Sequence, residues 1–246
     1  MLGEEMESCL STPFGSFIET DTDSSFKESQ SGTPLAAVAE AFEELARSLE
    51  TSSEDLKVSA FSNACSLVSV LFGCLGFAFK FAEMEYVSKV NDLIEASKMY
   101  DTLTNILDHD VECDTVRKQG SHSRNLRRVR LGLDLIKVLF ERFLSSDECS
   151  LKEAASIAYG QVCAPFHTWA VRKAVGAGMC TLPTREQLLL RLNETDFGCP
   201  LDTSRASTLA AESSVQKEMR RYIDACSPII EYIDNLFLSR NISLDW

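Results

Sequence analysis

A basic run between Arg117 and Arg130 is the strongest candidate for a binding site in this sequence. It reads RKQGSHSRNLRRVR and places Arg124 and Arg128 one turn apart on the same face of a helix. Arg127 and Arg130 point in other directions. A guanidinium group stays charged and donates two parallel hydrogen bonds, which suits a phosphate. The spacing therefore predicts a phosphate-binding face, although a solvated basic turn would show the same pattern.

Two other segments carry residues that could take part in binding or catalysis. Glu85 and Lys89 are four residues apart, a spacing typical of a weak ion pair on an exposed helix. His167 lies in the aromatic-rich stretch APFHTWAVRK, where a lone histidine is most often structural, and Cys163 precedes it by four residues. A Cys–His pair could act as a nucleophile. A thiol in an apolar run is expected to have a raised pKa, so we predict no such enzyme.

Composition narrows the functional class. The 246 residues are 45% hydrophobic with a net charge of −13, which argues against broad nucleic-acid binding. Nine cysteines are too scattered for a zinc site or a disulfide framework, so we predict reduced thiols and no metal or other cofactor. The acidic start, MLGEEMESCL, has neither the basic residues nor the apolar run of a signal peptide, which predicts a cytoplasmic protein.

Helical periodicity dominates the chain after an acidic first segment. Residues 1–33 contain seven acids and one base among many Ser and Thr, and we predict a disordered tail. A single all-α domain is predicted over 34–246. We expect its helices to cover approximately 35–49, 85–98, 100–116, 123–144, 151–162, 169–175, 184–192 and 215–238, with a loop at 194–212.

Residues 58–79 form an apolar segment without any charged residue. Its 22 residues are long enough to cross a bilayer. Small or polar residues recur every three or four positions from Ser59 to Gly76, a stripe that we expect to face another helix closely. The highly charged remainder of the chain favours a buried helix at the centre of a globular protein, and a membrane anchor stays the alternative.

Four separated segments, in this order, resemble the glycolipid transfer protein family, and most closely its plant accelerated-cell-death branch, whose members carry ceramide 1-phosphate. The segments are FSNACSLVSVLFGCLGFAFKFAEMEYVSKVNDL (61–93), VRKQGSHSRNLRRVRLGLDLIKVLFE (116–141), YGQVCAPFHTWAVRKAV (159–175) and YIDNLFLSRNISLDW (232–246). The resemblance covers roughly residues 36–246. It implies a two-layer helical sandwich that encloses lipid chains between the layers and binds the polar headgroup at the mouth.

The resemblance also implies roles for individual residues. Lys89, Arg124 and Arg128 would bind the phosphate, and His167 the ceramide amide carbonyl. Glu85 stands where the family has an Asp that binds the amide N–H and the sphingoid hydroxyl. Sugar-binding members have a Trp at the position of Arg128, so the arginine favours phosphate over sugar.

The resemblance predicts a non-enzymatic carrier that transfers a phosphosphingolipid between membranes. We expect a monomer that contacts membrane surfaces transiently and does not bind nucleic acid. Besides Glu85, one more position departs from the family, because Leu131 replaces an Arg found in many members. These departures leave one alternative open, a lipid sensor or helical adaptor with the same fold and no transfer activity.

Overall fold

A computed structural model describes residues 33–51, 55–76, 79–146, 148–193 and 205–246. The predicted tail, apart from Thr33, lies outside these residues, as do residues 194–204 of the predicted loop. The described residues form ten α-helices and belong to one compact unit over residues 31–246. The helices are α1 (Pro34–Thr51), α2 (Val58–Leu67), α3 (Ser69–Cys74), α4 (Lys80–Ala96), α5 (Leu103–Glu112), α6 (His122–Ser145), α7 (Leu151–Val162), α8 (Trp169–Gly178), α9 (Arg185–Asn193) and α10 (Arg205–Leu238).

The predicted helices are found, although α4 begins at Lys80, five residues before the expected Glu85; side-chain caps set some of the other boundaries. Thr33 accepts the Ala36 N–H at 3.2 Å at the start of α1, as the Thr-Pro pair predicts. The expected start of α5 at Tyr100 is three residues early, because Thr102 caps that helix. The predicted loop is wrong over 205–212. This stretch, RASTLAAE, is already helical. Its Ala and Leu residues have high helix propensity, which the loop prediction did not take into account.

Five helices form a closed circuit around the core. Helix α1 packs against α10, α10 against α6, α6 against α4, α4 against α2, and α2 against α1. This circuit of helices is the predicted all-α, two-layer helical sandwich. Aromatic side chains fill its interior, and the Tyr222 ring lies edge-on to Phe42 and Phe140 at 5.3 and 5.7 Å. Helix α7 covers the other side of α6.

One side of the uncharged segment is buried in this core, over its described residues 58–76 and 79. It divides at Val68 into α2 and α3, and Phe61, Cys65 and Val68 are fully buried. No helix in the described part of the chain combines the length and apolar character needed to cross a bilayer. The expectation about the small-residue stripe is wrong for most of its length. Ser62 is buried, but Ser59, Ser66 and Gly73 face solvent, because most of the large apolar residues lie on the buried side instead.

Candidate functional site: a cationic face on helix α6

The first turn of α6 is fixed by two side chains that accept its backbone N–H groups. Ser121 caps the helix and accepts the Arg124 N–H at 3.2 Å. The buried Asp110 carboxylate accepts the Ser123 N–H at 2.8 Å and the Thr115 hydroxyl at 2.6 Å. These contacts hold the turn that carries the first arginine of the site.

Arg124 and Arg128 lie one turn apart on α6, as the spacing predicts. Arg124 donates from Nη1 to the Arg117 carbonyl at 2.7 Å. Within the described residues Arg128 has neither a hydrogen bond nor an ion pair. Burial lowers the pKa of Arg128, and the positive charge of Arg124 lowers it further. A helix N-terminus also disfavours cations. Binding an anion here would relieve both costs.

Arg127 and Arg130, the other arginines of the run that lie on α6, point elsewhere, as predicted. Arg127 is only 3% exposed and donates from Nη2 to the Leu244 carbonyl at 2.8 Å. Arg130 donates from Nη1 to Asp134 at 2.6 Å and from Nη2 to Asp234 on α10. Arg130 is therefore already paired. It does not replace the arginine that many family members have at the position of Leu131. Leu131 itself is buried.

Helix α4, which carries Lys89, packs against α6. The Tyr86 ring packs so closely on Gly132 that a Cβ there would lie 2.7 Å from Tyr86 Cδ2. Farther along α4, Asp92 Oδ2 lies 2.8 Å from His122 Nδ1. Since Tyr86 meets Gly132 and the later Asp92 meets the earlier His122, α4 and α6 are antiparallel. Lys89 lies between the two contacts on α4, alongside the stretch of α6 from His122 to Gly132.

Glu85 lies one turn before Lys89 on α4. Its carboxylate is 3.4 Å from the Lys89 ammonium, the surface ion pair that the spacing alone predicts. The Lys89 side chain is only 29% exposed, whereas Glu85 is 60% exposed. The pair is weak in such a setting, so the ammonium can exchange Glu85 for another anion.

His167 follows a short 3-10 helix, Ala164–Phe166, and faces the same site. Its Nδ1 lies 2.9 Å from the Tyr159 hydroxyl, and its carbonyl accepts Arg172 Nε at 3.1 Å. Burial lowers the pKa of His167, and the positive charges of Arg128 and Arg172 lower it further. The ring is therefore neutral at neutral pH and can donate one hydrogen bond to a carbonyl.

We expect the His167 ring in the unliganded protein to titrate below pH 6.5. The lowered pKa means that the folded state opposes protonation, so this group reduces stability as the pH falls through 6.5, where the unfolded chain gains the proton. NMR of the imidazole resonances measures the midpoint. Arg128→Gln should raise it, since it removes one of the two repelling charges. An unchanged midpoint in that variant would contradict the proximity of the two residues.

Cys163 is unsuited to nucleophilic catalysis with His167. Burial raises the pKa of its thiol to about 11, as the apolar surroundings predicted, and the nearby Asp134 charge adds to the increase. The thiol is protonated at neutral pH. In the part of the chain that is described, no group of three or more His, Cys, Asp or Glu could hold a metal ion.

The structure thus brings together Arg124, Arg128 and His167, and places Lys89 on the facing helix, with Glu85 at its outer edge. Sequence reasoning missed the residues that support them. Tyr159 is eight residues before the histidine it contacts, and Arg117 meets the C-terminal segment across more than a hundred residues. The Arg130–Asp134 pair did have a local signal, its i,i+4 spacing.

An all-α sandwich with a cationic face on a central helix is the architecture of a known lipid-carrier class. The glycolipid transfer protein family model matches residues 56–194. A relative from Arabidopsis thaliana, the "ACD11 homolog protein", is 61% identical over 220 residues, covering 87% of this chain and 89% of that protein. The chain belongs to the glycolipid transfer protein family, which confirms the resemblance.

Other comparisons agree on the branch of the family. Arabidopsis "Accelerated cell death 11" is 47% identical, covering 89% of this chain and 99% of that protein. A crystal structure of a mutant of that Arabidopsis protein, complexed with C12 ceramide-1-phosphate, matches with a TM-score of 0.78 at 46% identity. It covers 88% of this chain and 100% of the other. Human ceramide-1-phosphate transfer protein shares the fold, with a TM-score of 0.64 at 20% identity.

Proposed function

We propose that this protein transfers a phosphosphingolipid of the ceramide 1-phosphate type between membranes and is not an enzyme. The observation that carries the proposal is the Arg124–Arg128 face, where one half-buried guanidinium has no partner among the described residues. An unpaired, partly desolvated cation is costly unless an anion binds there. Two relatives with 61% and 47% identity support the same ligand, since the structure of a mutant of the second relative contains ceramide-1-phosphate.

The headgroup provides selectivity, since the apolar chains cannot. Each methylene that leaves water for the sandwich interior contributes about 0.8 kcal/mol whatever headgroup it carries. Charge-assisted hydrogen bonds from Lys89, Arg124 and Arg128 would contribute about 1.5–3 kcal/mol each. A lipid without phosphate would leave these cations unpaired and would be rejected. In this scheme His167 donates to the amide carbonyl.

Glu85 has a distinct place in this scheme. Its carboxylate would accept hydrogen bonds from the amide N–H and the sphingoid hydroxyl. Because Glu85 is one methylene longer than Asp, it would meet the ligand with a shifted geometry, from an exposed position one turn from Lys89. The same reach lets it pair with Lys89 when the site is empty.

The experiment that tests the function compares two donor-vesicle lipids with identical chains. We expect ceramide 1-phosphate to be transferred at least tenfold faster than glucosylceramide, because the sugar lipid leaves the cations without a counter-charge. Fluorescent-lipid transfer measures both rates, and native mass spectrometry identifies any retained lipid. Equal rates would refute the phosphate specificity. Retention of ceramide 1-phosphate without transfer would favour the sensor instead.

Exposed apolar side chains near this site support a transient membrane contact. Trp169, two residues after His167, is 71% exposed, and Phe81 on α4, two turns before Lys89, is 75% exposed. Met84 lies between Phe81 and Lys89 on α4 and is also exposed. Tryptophan favours the interface between water and lipid. These residues would hold the mouth of the site against the bilayer while the lipid enters.

We expect Trp169→Ala to weaken vesicle binding about tenfold, since the indole no longer enters the interface. Vesicle sedimentation measures the partition, and native mass spectrometry shows whether the variant still holds lipid. Leu238→Ala, which removes another exposed apolar side chain at the end of α10, is the matched control. Similar losses in both variants would indicate nonspecific adhesion and not a docking surface.

The proposal includes a setting for this activity. A monomer acting in the cytoplasm would reach the membranes between which it transfers lipid. The names of the two Arabidopsis relatives refer to accelerated cell death. We therefore propose that transfer of this lipid takes part in the control of programmed cell death in a plant.

A further inference from the structure

We infer that the C-terminal segment, residues 243–246, positions the headgroup cations, with Arg117 as the residue that connects them. The inference rests on the proposed function and adds positioning residues to that site. Arg117 precedes α6 in the loop after α5, far in sequence from the C-terminus. None of these residues belongs to the cationic face itself.

Three contacts attach the side chain of Arg117 to this segment. Nη2 donates to Ser243 Oγ at 2.8 Å and lies 4.0 Å from Asp245 Oδ1. The guanidinium also lies over the Trp246 ring, 5.5 Å from its centroid. Ser243 in turn donates to Asp245 at 2.5 Å. The side chain is thereby held by several weak contacts at once.

The backbone of Arg117 acts on the site directly. Its carbonyl accepts Arg124 Nη1 at 2.7 Å, the hydrogen bond that orients this guanidinium. One residue therefore joins the C-terminal segment, through its side chain, to a headgroup cation, through its carbonyl. If the side chain is released, the loop and its carbonyl gain freedom, and Arg124 is no longer held in one orientation.

A second contact reaches the other side of the site. The Leu244 carbonyl accepts Arg127 Nη2, and the Arg127 guanidinium lies 5.6 Å from the centroid of Phe166, the residue before His167. Arg127 is also the neighbour of Arg128 on α6. The segment is anchored by Trp246, whose ring lies 6.2 Å from Phe237. It thus supports residues adjoining the cationic face from two directions.

Arg117→Ala and Lys118→Ala form a matched pair that tests this role. Both remove one exposed positive charge from the same loop, so their long-range electrostatic effects are similar, but only Arg117 contacts the C-terminal segment. The measurement is vesicle transfer of ceramide 1-phosphate and of ceramide with the same chains. We expect Arg117→Ala to lower the phosphate preference about tenfold and Lys118→Ala to leave it unchanged.

The outcomes separate this inference from the function on which it depends. A wild-type protein without phosphate preference would overturn both. Preserved preference in Arg117→Ala, or equal loss of both lipids together with a lower Tm, would overturn the positioning role alone. Ser243→Ala should lower the preference in the same direction. Added to Arg117→Ala, it should have no further effect, because both changes break the same link.

Discussion

Arg128→Glu should reduce ceramide 1-phosphate transfer more than about 100-fold. The substitution removes charge-assisted hydrogen bonds worth about 1.5–3 kcal/mol and places a carboxylate against the phosphate. At a separation of about 4 Å and an effective dielectric constant of about 20, that repulsion adds roughly 4 kcal/mol. The helical content should not change, since within the described residues Arg128 makes no hydrogen bond or ion pair. Fluorescent-lipid transfer and circular dichroism measure the two quantities.

Arg220→Glu provides the control for this change. Arg220 is exposed on α10, and its substitution alters the net charge by the same amount without entering the cationic face. Its transfer rate should stay near that of the wild type. If both variants lose activity equally, the effect belongs to overall charge, for example through repulsion from anionic vesicles. Full transfer by Arg128→Glu would remove the phosphate site from the mechanism.

The sequence predicted the helices and the cationic face because both have local signals. Helical periodicity identified α6 and α7, and the four-residue spacing of Arg124 and Arg128 placed them on one face. A charge-free segment identified the core helices α2 and α3. The spacing of Glu85 and Lys89 correctly predicted their ion pair. Each inference used residues within a few turns of one another.

Contacts between residues far apart in the sequence could not be predicted from these local patterns. Nothing local shows that Asp234 pairs with Arg130, or that Ser243 meets Arg117, because those contacts depend on how α10 and the C-terminus return to α6. The direction of the small-residue stripe also failed for this reason. A stripe of Ser and Gly allows close helix packing, but only the tertiary arrangement decides which side meets a neighbour. The stripe is at the surface near Ser66.

Asp234→Ala should destabilise the protein by about 3 kcal/mol. Asp234 joins α10 to Arg130 on α6, and both side chains are largely buried, so its removal leaves a desolvated cation with one carboxylate, Asp134. Breaking a buried pair costs about 3–5 kcal/mol, and the retained Asp134 keeps the loss near the lower limit. Burial opposes the charge of Arg130, but Asp234 and Asp134 outweigh it and raise its pKa. Thermal unfolding should show a Tm lower by roughly 10 °C.

Two further variants decide whether charge is the cause. Asp224→Ala on the same helix removes an exposed carboxylate and should change stability by less than about 0.5 kcal/mol. Arg130→Met combined with Asp134→Leu and Asp234→Leu replaces all three charged partners with apolar side chains and should restore most of the lost stability, since no buried charge then lacks its partner. If this triple variant is no more stable than Asp234→Ala, the loss comes from packing between α6 and α10. The ion pair would then have no separate role in joining these helices.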